Sequence, residues 1–367
     1  MARLDAADKK TIGKIEKLAE SVLRSTKGGK NPFVEIPIRS LANVRFNEKK
    51  RLIELRGQKQ KRYFFNVSMA KKFMQTFLVS EACKELIDAG KTTSIRDLYY
   101  MTKHGLGDTR QNTFEEQEES DPIIEDLEVS IDALREELHL FASRKGTMVG
   151  PVTIRDSGDT IDLRRMGSGG WGVPSIVEEH VIQFGRHEAK YILLVEKDAI
   201  WSRFNEDRFW QRQKCIIVHG GGQPPRGVRR IVQRLHSELK LPVYVLVDND
   251  PWGFYIYSVL KQGSINLAYE SMRMAVPDAR FIGLSSFDKD KYQLPANVVI
   301  RMNDQDNSRA KQMLSYPWFQ AKQWQREIQE MVRSGQKFEL EALSRRGISF
   351  ITEEYLPKKL RDRDWLE

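Results

Sequence analysis

Three carboxylates stand where the sequence could use them for chemistry. Glu196 directly follows the apolar run Tyr-Ile-Leu-Leu-Val, and Asp248 directly follows Val-Tyr-Val-Leu-Val, with Asp250 two residues on. In open α/β sheets, ligands collect beyond the carboxyl ends of the strands. In an extended Asp-x-Asp, alternate side chains share a face, so Asp248 and Asp250 can point into one site. Three acids meeting there repel one another unless a hard cation joins them. Magnesium takes oxygen ligands and keeps several waters, which suits a site on a phosphate. A single acid at a strand end commonly just caps the next helix. A Glu after one apolar strand and an Asp-x-Asp after another, followed by Pro-Trp-Gly, is a more specific signal.

A second constellation lies upstream, in Ser-Ile-Arg-Asp-Leu-Tyr-Tyr ending at Tyr100. Arg96 precedes Tyr100 by four residues, so on a helix the two share a face one turn apart. A guanidinium so placed can contact a phosphate that the Tyr100 hydroxyl attacks. Tyrosine pairs on helices are usually packing residues. Arg96 and the downstream acids instead favour Tyr100 as a nucleophile, with Arg96 beside it. A tyrosine with an ordinary pKa near 10 needs assistance, and the sequence identifies no general base.

Other chemistries are excluded. His219-Gly220-Gly221-Gly222 is reminiscent of an esterase oxyanion loop, but the Gly-x-Ser-x-Gly nucleophile elbow is missing. The glycine-rich stretch Arg164–Pro174 lacks the Gly-Lys-Ser/Thr ending of a P-loop, and no P-loop occurs elsewhere, so an ATP site is expected on another polypeptide. The six histidines have no partners at zinc spacing. Cys83 and Cys215 each sit in an apolar stretch and read as reduced, buried thiols of an intracellular protein.

The elements that must carry these residues follow from periodicity and punctuation. Residues 1–30 predict one amphipathic helix (Ile12, Ile15, Leu18, Val22) ending at Gly28-Gly29. Residues 31–67 read as short strands or extended arm. A helix capped by Ser68 runs to Gly90, and a short helix capped by Thr93 or Ser94 carries Arg96 and Tyr100. A further helix is expected over 122–138, then a hairpin turning at Lys145-Gly146. Helix, turn, helix, helix, hairpin is the order of a winged-helix (CAP-like) DNA-binding domain. After the 164–174 loop come apolar runs ending in Glu196, in His219 and in Asp248, and a weaker one at 279–285. Helical stretches separate them, which predicts a doubly wound parallel sheet over 178–300. Residues 305–367 read as helical and charged. The fold class is therefore α/β plus winged helix: an N-terminal arm (1–67), a winged-helix domain (68–155), and an α/β domain with a helical C-terminal extension (156–367).

Charge agrees with a nucleic-acid partner. The net charge is +9, and residues 1–70 carry 17 Lys/Arg against 7 Asp/Glu, so the surplus lies in the N-terminal region. A basic arm contacts a polyanion, with nucleic acid the commonest one, or simply keeps the chain in solution. The sequence has no apolar run of 18 residues and no signal-type start, so a cytoplasmic, nucleoid-associated protein with no membrane contact is expected.

Val-Glu-Lys-Asp-Ala-Ile-Trp-Ser-Arg-Phe from Val195 and Val-Asp-Asn-Asp-Pro-Trp-Gly-Phe-Tyr-Ile-Tyr from Val247 together resemble a Toprim domain, the magnesium-binding module of topoisomerases, primases and some nucleases. The loop Val-His-Gly-Gly-Gly-Gln-Pro-Pro-Arg-Gly-Val-Arg-Arg between them is similar to the glycine-and-proline turn of one Toprim branch. That branch comprises the DNA-cleaving chains of topoisomerase VI and the related meiotic double-strand-break protein. Arg-Asp-Leu-Tyr-Tyr resembles its other motif, whose second aromatic is the nucleophile. The resemblance spans roughly residues 68–360. It gives Gly222, Pro224, Arg229 and Gly253 supporting places; the family tends to show an acid where this chain has Pro225. It further implies a transient double-strand break in DNA with 5′-phosphotyrosyl links. By the same resemblance, magnesium is expected on Glu196, Asp248 and Asp250, and the Tyr of one protomer is expected to work with the acids of the other in a homodimer. The partner the resemblance implies is a GHKL-type ATPase, the B-type chain of an A2B2 heterotetramer that passes strands to relax or decatenate DNA. The alternatives are a Toprim-type hydrolytic nuclease, a meiotic-type break-forming protein without strand passage, and a non-catalytic DNA-binding scaffold.

Overall fold

The structure, a computed structural model, describes residues 4–367. It divides into two compact units. One holds the described residues up to Arg45 together with Leu55–Ser143; the other holds Phe46–Glu54 and Arg144–Glu367.

In the first unit the predicted N-terminal helix forms over Ala6–Lys27, with Asp5 and Asp8 closing a reciprocal cap. It buries Thr11 and Ile15 and packs on the helix Val67–Ala89. The strand Phe33–Pro37 pairs antiparallel with Lys59–Tyr63 and buries Val34 and Ile36. The arm expected over residues 1–67 is therefore largely built into this unit, and residues 1–3 of that expectation lie outside the described residues. Part of the basic surplus is spent internally. Arg39 and the buried Arg62 both reach Asp126, at 3.0 and 2.7 Å. Charge counting finds cations but not their partners, which is why these residues read as an arm.

Asn66, rather than Ser68, caps the helix Val67–Ala89, its Oδ1 accepting from the Ser68 amide at 3.0 Å. Gly90 ends it at φ +62°, a conformation glycine adopts without steric cost. The strand Thr93–Ser94 then leads into the helix Ile95–Thr102. The next helix covers Ser120–Ile131 and stops short of the expected Leu138, because Asp132 turns left-handed (φ +48°) and Arg135–Leu138 tightens into a 3-10 turn. Leu140–Phe141 runs back parallel to Thr93–Ser94. The order is thus helix, strand, helix, helix, strand. Val79, Cys83, Ile87, Leu98, Phe114, Ile124, Leu127 and Leu140 are buried together at its centre.

The hairpin expected at Lys145-Gly146 does not form. Thr147–Val149 pairs antiparallel with Cys215–His219 in the second unit, and the hairpin of this region turns instead at Ser157-Gly158, joining Val152–Asp156 to Asp159–Asp162. Residues 144–155, expected in the winged-helix domain, belong with the second unit. Three-residue strands carry no readable alternation, and their partner lies some seventy residues away, so local pattern does not reveal this pairing.

The second unit holds a six-stranded sheet in the order Trp171–Gly172, Thr147–Val149, Cys215–His219, Tyr191–Val195, Val243–Leu246, Arg280–Phe281. The last four run parallel in register. The glycine-rich stretch expected as a loop thus contributes an edge strand, with Trp171 buried. Every residue of Tyr191–Val195, Cys215–His219 and Val243–Leu246 is buried, as in a sheet covered on both faces. Arg226–Leu239 packs on the Tyr191 and Cys215 strands, while Trp201, Phe204, Phe209 and Trp210 fill a core with Leu193, Ile217 and Leu246. A three-stranded antiparallel sheet (Ile182–His187, Val152–Asp156, Asp159–Asp162) stands beside it in sequence. The C-terminal part is helical as expected, with Asp304–Leu314 and Lys322–Ser334 its longest helices. Both cysteines are buried and free. Among the described residues no helix is long and apolar enough to cross a membrane.

Candidate functional site

The tyrosine pair divides its labour. Ser94 Oγ accepts from the Asp97 amide at 3.0 Å and donates to the Asp97 carboxylate at 2.7 Å, fixing the start of the eight-residue helix Ile95–Thr102. Tyr99 turns inward and is 6% exposed. Its hydroxyl donates to the Glu115 carbonyl at 2.8 Å and accepts from Lys103 at 2.7 Å. Tyr100 turns outward and is 60% exposed, its ring edge-on to Tyr99 at 5.0 Å. Arg96 is exposed and has no hydrogen-bond or ion-pair partner among the described residues. Helical spacing puts it on the face of Tyr100. A solvent-facing hydroxyl beside an uncompensated guanidinium is an arrangement that can receive a phosphate.

Two of the predicted acids touch in the second unit, just past the carboxyl ends of adjacent parallel strands, and Asp250 stands two residues on, at the head of the next helix. Glu196 Oε2 accepts from the Asp248 amide at 3.1 Å. Asp248 is buried; its Oδ1 accepts from the Leu340 amide at 2.8 Å and its Oδ2 lies 2.9 Å from Lys197 Nζ. Asp250 Oδ1 caps the helix Pro251–Gln262 by accepting from the Gly253 amide at 2.5 Å. The helix-capping role is therefore real for Asp250, and it leaves Oδ2 available. Burial and the neighbouring Asp248 charge push Glu196 up to about 7. Burial pushes Asp248 up to about 6, although Lys197 pulls it back. Asp250 is raised by burial as well. Carboxylates held together at this cost are a donor set that fits a hard divalent cation. They do not close a chelate by themselves: among the described residues, no three acid, histidine or cysteine side chains converge at ligand distance. A cation here would complete its shell with waters or phosphate oxygens.

The supporting residues separate. Gly253 is demanded by geometry, since a Cβ there would lie 2.6 Å from the Asp248 carbonyl oxygen. Gly222 adopts φ +93° and its amide donates to the Glu196 carbonyl at 2.9 Å, tying the glycine loop to the strand end. Pro224 lies in that loop, just before the helix Arg226–Leu239. Arg229 is buried in that helix and holds Glu270 at 2.7 Å, an ion pair internal to the unit.

Sequence reasoning missed the groups that complete the acid site. Lys197 follows Glu196 directly, but the strand ends at Val195, so strand alternation does not apply to it. Its ammonium reaches Asp248, Glu341 at 3.0 Å and Glu339 at 3.5 Å. Asn249 and Phe338 exchange both backbone hydrogen bonds at 3.0 Å, stitching the Asp-Asn-Asp loop to the 338–341 segment. Those contacts span some ninety residues and leave no local signature.

Comparison with known proteins agrees with this layout. Residues 191–360 match the Toprim-domain family of the topoisomerase 6 A-subunit and Spo11. Residues 71–140 match the family described as type IIB DNA topoisomerase, and 145–188 match the all-beta domain in DNA topoisomerase VI alpha subunit. The last match covers strands that the sequence alone divides between a winged-helix and an α/β domain. The chain is 44% identical to the type 2 DNA topoisomerase 6 A-subunit of Pyrococcus horikoshii, over 96% of this chain and 94% of that one. It is 41% identical to that of Hyperthermus butylicus, over 98% and 97%. It is 36% identical to the A3-subunit of DNA topoisomerase 6 of Oryza sativa subsp. indica, over 95% and 78%. With likeness running over nearly its whole length and through all three matched regions, the chain belongs to the type 2 DNA topoisomerase 6 A-subunit family.

Proposed function

We propose that this chain is the DNA-cleaving component of an ATP-dependent type IIB topoisomerase, acting by tyrosine transesterification. The observation that carries the reading is the split tyrosine pair: Tyr99 is pinned beneath the helix and Tyr100 stands free beside Arg96. The Tyr100 hydroxyl oxygen attacks a DNA phosphorus. A P–O bond to tyrosine forms, the P–O bond to the 3′ oxygen breaks, and the tyrosyl proton passes to a base while the 3′ oxygen takes up a proton. The broken strand keeps a 5′-phosphotyrosyl link, so the reverse attack by the 3′-hydroxyl reseals it without ATP. Arg96 holds the non-bridging oxygens and favours the charge that grows on them in the transition state. Glu196, Asp248 and Asp250 would hold magnesium, which supplies positive charge for the phosphoryl and leaving oxygens.

The helices of the first unit serve as the DNA-binding module of winged-helix type, lacking the predicted hairpin wing. Domain assignment follows from this: residues 68–143 carry the nucleophile, and the α/β unit carries the acids. A homodimer pairs the tyrosine of each protomer with the acids of the other. Two copies join two GHKL-type ATPase chains in an A2B2 complex that passes one duplex through the break, within the nucleoid of the cytoplasm.

The test is covalent trapping. The chain, its ATPase partner, magnesium and plasmid DNA are mixed and quenched with detergent. Protein-linked DNA that vanishes in Tyr100→Phe is the expected result. Cleaved DNA without an adduct, unchanged in Tyr100→Phe, would replace the reading with a hydrolytic nuclease.

A further inference from the structure

Lys197 makes an asymmetric contact at the acid site. Its ammonium lies 2.9 Å from Asp248 Oδ2, on a side chain only 4% exposed, and 3.0 and 3.5 Å from Glu341 and Glu339, which are 41% and 53% exposed. Its own side chain is 26% exposed, so the lysine bridges the buried acid and the solvent-facing pair. Asp248 Oδ1 is already taken by the Leu340 amide, so Oδ2 is the oxygen left to bind a ligand, and the ammonium occupies it. A lysine carries one charge on a flexible four-carbon stem and can swing. A divalent cation carries two charges and needs oxygens that no ammonium blocks.

We propose that Lys197 is a tethered counter-cation of Asp248 that a divalent cation must displace, with Glu339 and Glu341 as the berth into which the ammonium withdraws. The inference rests on the metal-binding reading of Glu196, Asp248 and Asp250. Before a metal arrives, Lys197 keeps the buried Asp248 from standing uncompensated, a state that burial penalises. When the metal binds, it takes over that compensation, and the ammonium remains paired at the solvent side. The lysine therefore sets the metal concentration at which the site fills, and it is a positioning residue rather than a catalytic one.

The test is direct titration of the full-length, chelator-treated chain with Mn2+, read by the electron paramagnetic resonance of free Mn2+, without DNA or turnover. Lys197→Met is expected to bind Mn2+ about tenfold tighter than wild type, equivalent to about 1.4 kcal/mol. Lys197→Arg keeps the positive charge and is expected to stay near wild type. The double variant Glu339→Gln/Glu341→Gln, which removes the berth, is expected to bind about threefold weaker. Thermal melts in chelator verify that each variant folds, and Lys197→Gln replaces the Met variant if that one does not. Equal or weaker binding in the folded Lys197 variant, with wild type binding normally, overturns this inference alone. Tighter binding in the double glutamine variant overturns the berth. No Mn2+ binding by wild type, Lys197→Met or Lys197→Gln overturns the metal reading and this inference with it.

Discussion

At Tyr100 the proposed nucleophile stands in solvent on a two-turn helix, and the anchoring is done by its neighbours: Tyr99, Ser94 and Lys103 hold the helix while Tyr100 is 60% exposed. At Glu196, Asp248 and Asp250 the proposed metal-holding groups are themselves the anchors. Each accepts a backbone amide, each is shifted upward by burial, and one is bridged by Lys197. The contrast teaches where substitution should be silent. A side chain that reaches only for substrate can be removed without harm to the fold. One that also holds backbone cannot.

The largest effect that would break this contrast concerns the proposed nucleophile. Tyr100→Phe should lower covalent cleavage at least about a thousandfold and leave the melting temperature within the small range of exposed substitutions. A clear loss of stability would mean Tyr100 is a packing residue after all. Arg96→Ala should lower cleavage by about a hundredfold, again without thermal cost; unchanged single-turnover cleavage would remove Arg96 from the site. On the other side, Gly253→Ala should do what neither of those does. The added Cβ meets the Asp248 carbonyl at 2.6 Å, so calorimetry should show about 2 kcal/mol of destabilisation together with weakened Mn2+ binding. Tyr99→Phe deletes the hydroxyl that joins Glu115 and Lys103 and should cost about 1 kcal/mol in denaturant melts, while adduct formation persists. The smallest effect sharpens the electrostatic half of the comparison. Burial pushes Glu178 up, but two hydrogen bonds from Arg230, at 2.8 and 2.6 Å, pull it below the usual carboxylate range. Because its folded pKa is depressed, its stabilisation is full above the ordinary glutamate pKa and fades as pH falls through the depressed value. Glu178→Gln should therefore destabilise the chain by about 1 kcal/mol at neutral pH, and the two proteins should converge in acid. Equal separation at every pH would assign the effect to packing.

The acids are legible in the sequence because the strands before them are apolar without interruption, so the strand ends, and hence Glu196 and Asp248, can be placed by counting. Two helix caps are legible for a similar local reason, since Ser94 and Gly90 act within three or four residues of where they stand, whereas the cap expected at Ser68 falls to Asn66. What cannot be read is whatever depends on a distant partner. The strand Thr147–Val149 takes its identity from Cys215–His219, and Arg62 from Asp126. Arg229 resembles a site residue by its place in a motif, yet a buried glutamate forty-one residues on decides its contact. Lys197 escapes notice because the strand stops one residue before Glu196, and the acids that share it lie in the 339–341 segment.

The stitch between Asn249 and Phe338, with the Leu340 amide on Asp248, has a consequence for the order in which the molecule is made. Tyr100 and its whole helix are synthesised and can fold early, from contacts within the first 143 residues. The acid loop at 248–250 must wait for a segment ninety residues further along before its carboxylates are held. A chain still on the ribosome can thus carry a folded Tyr100 helix while the loop at 248–250 still lacks the segment that holds its carboxylates.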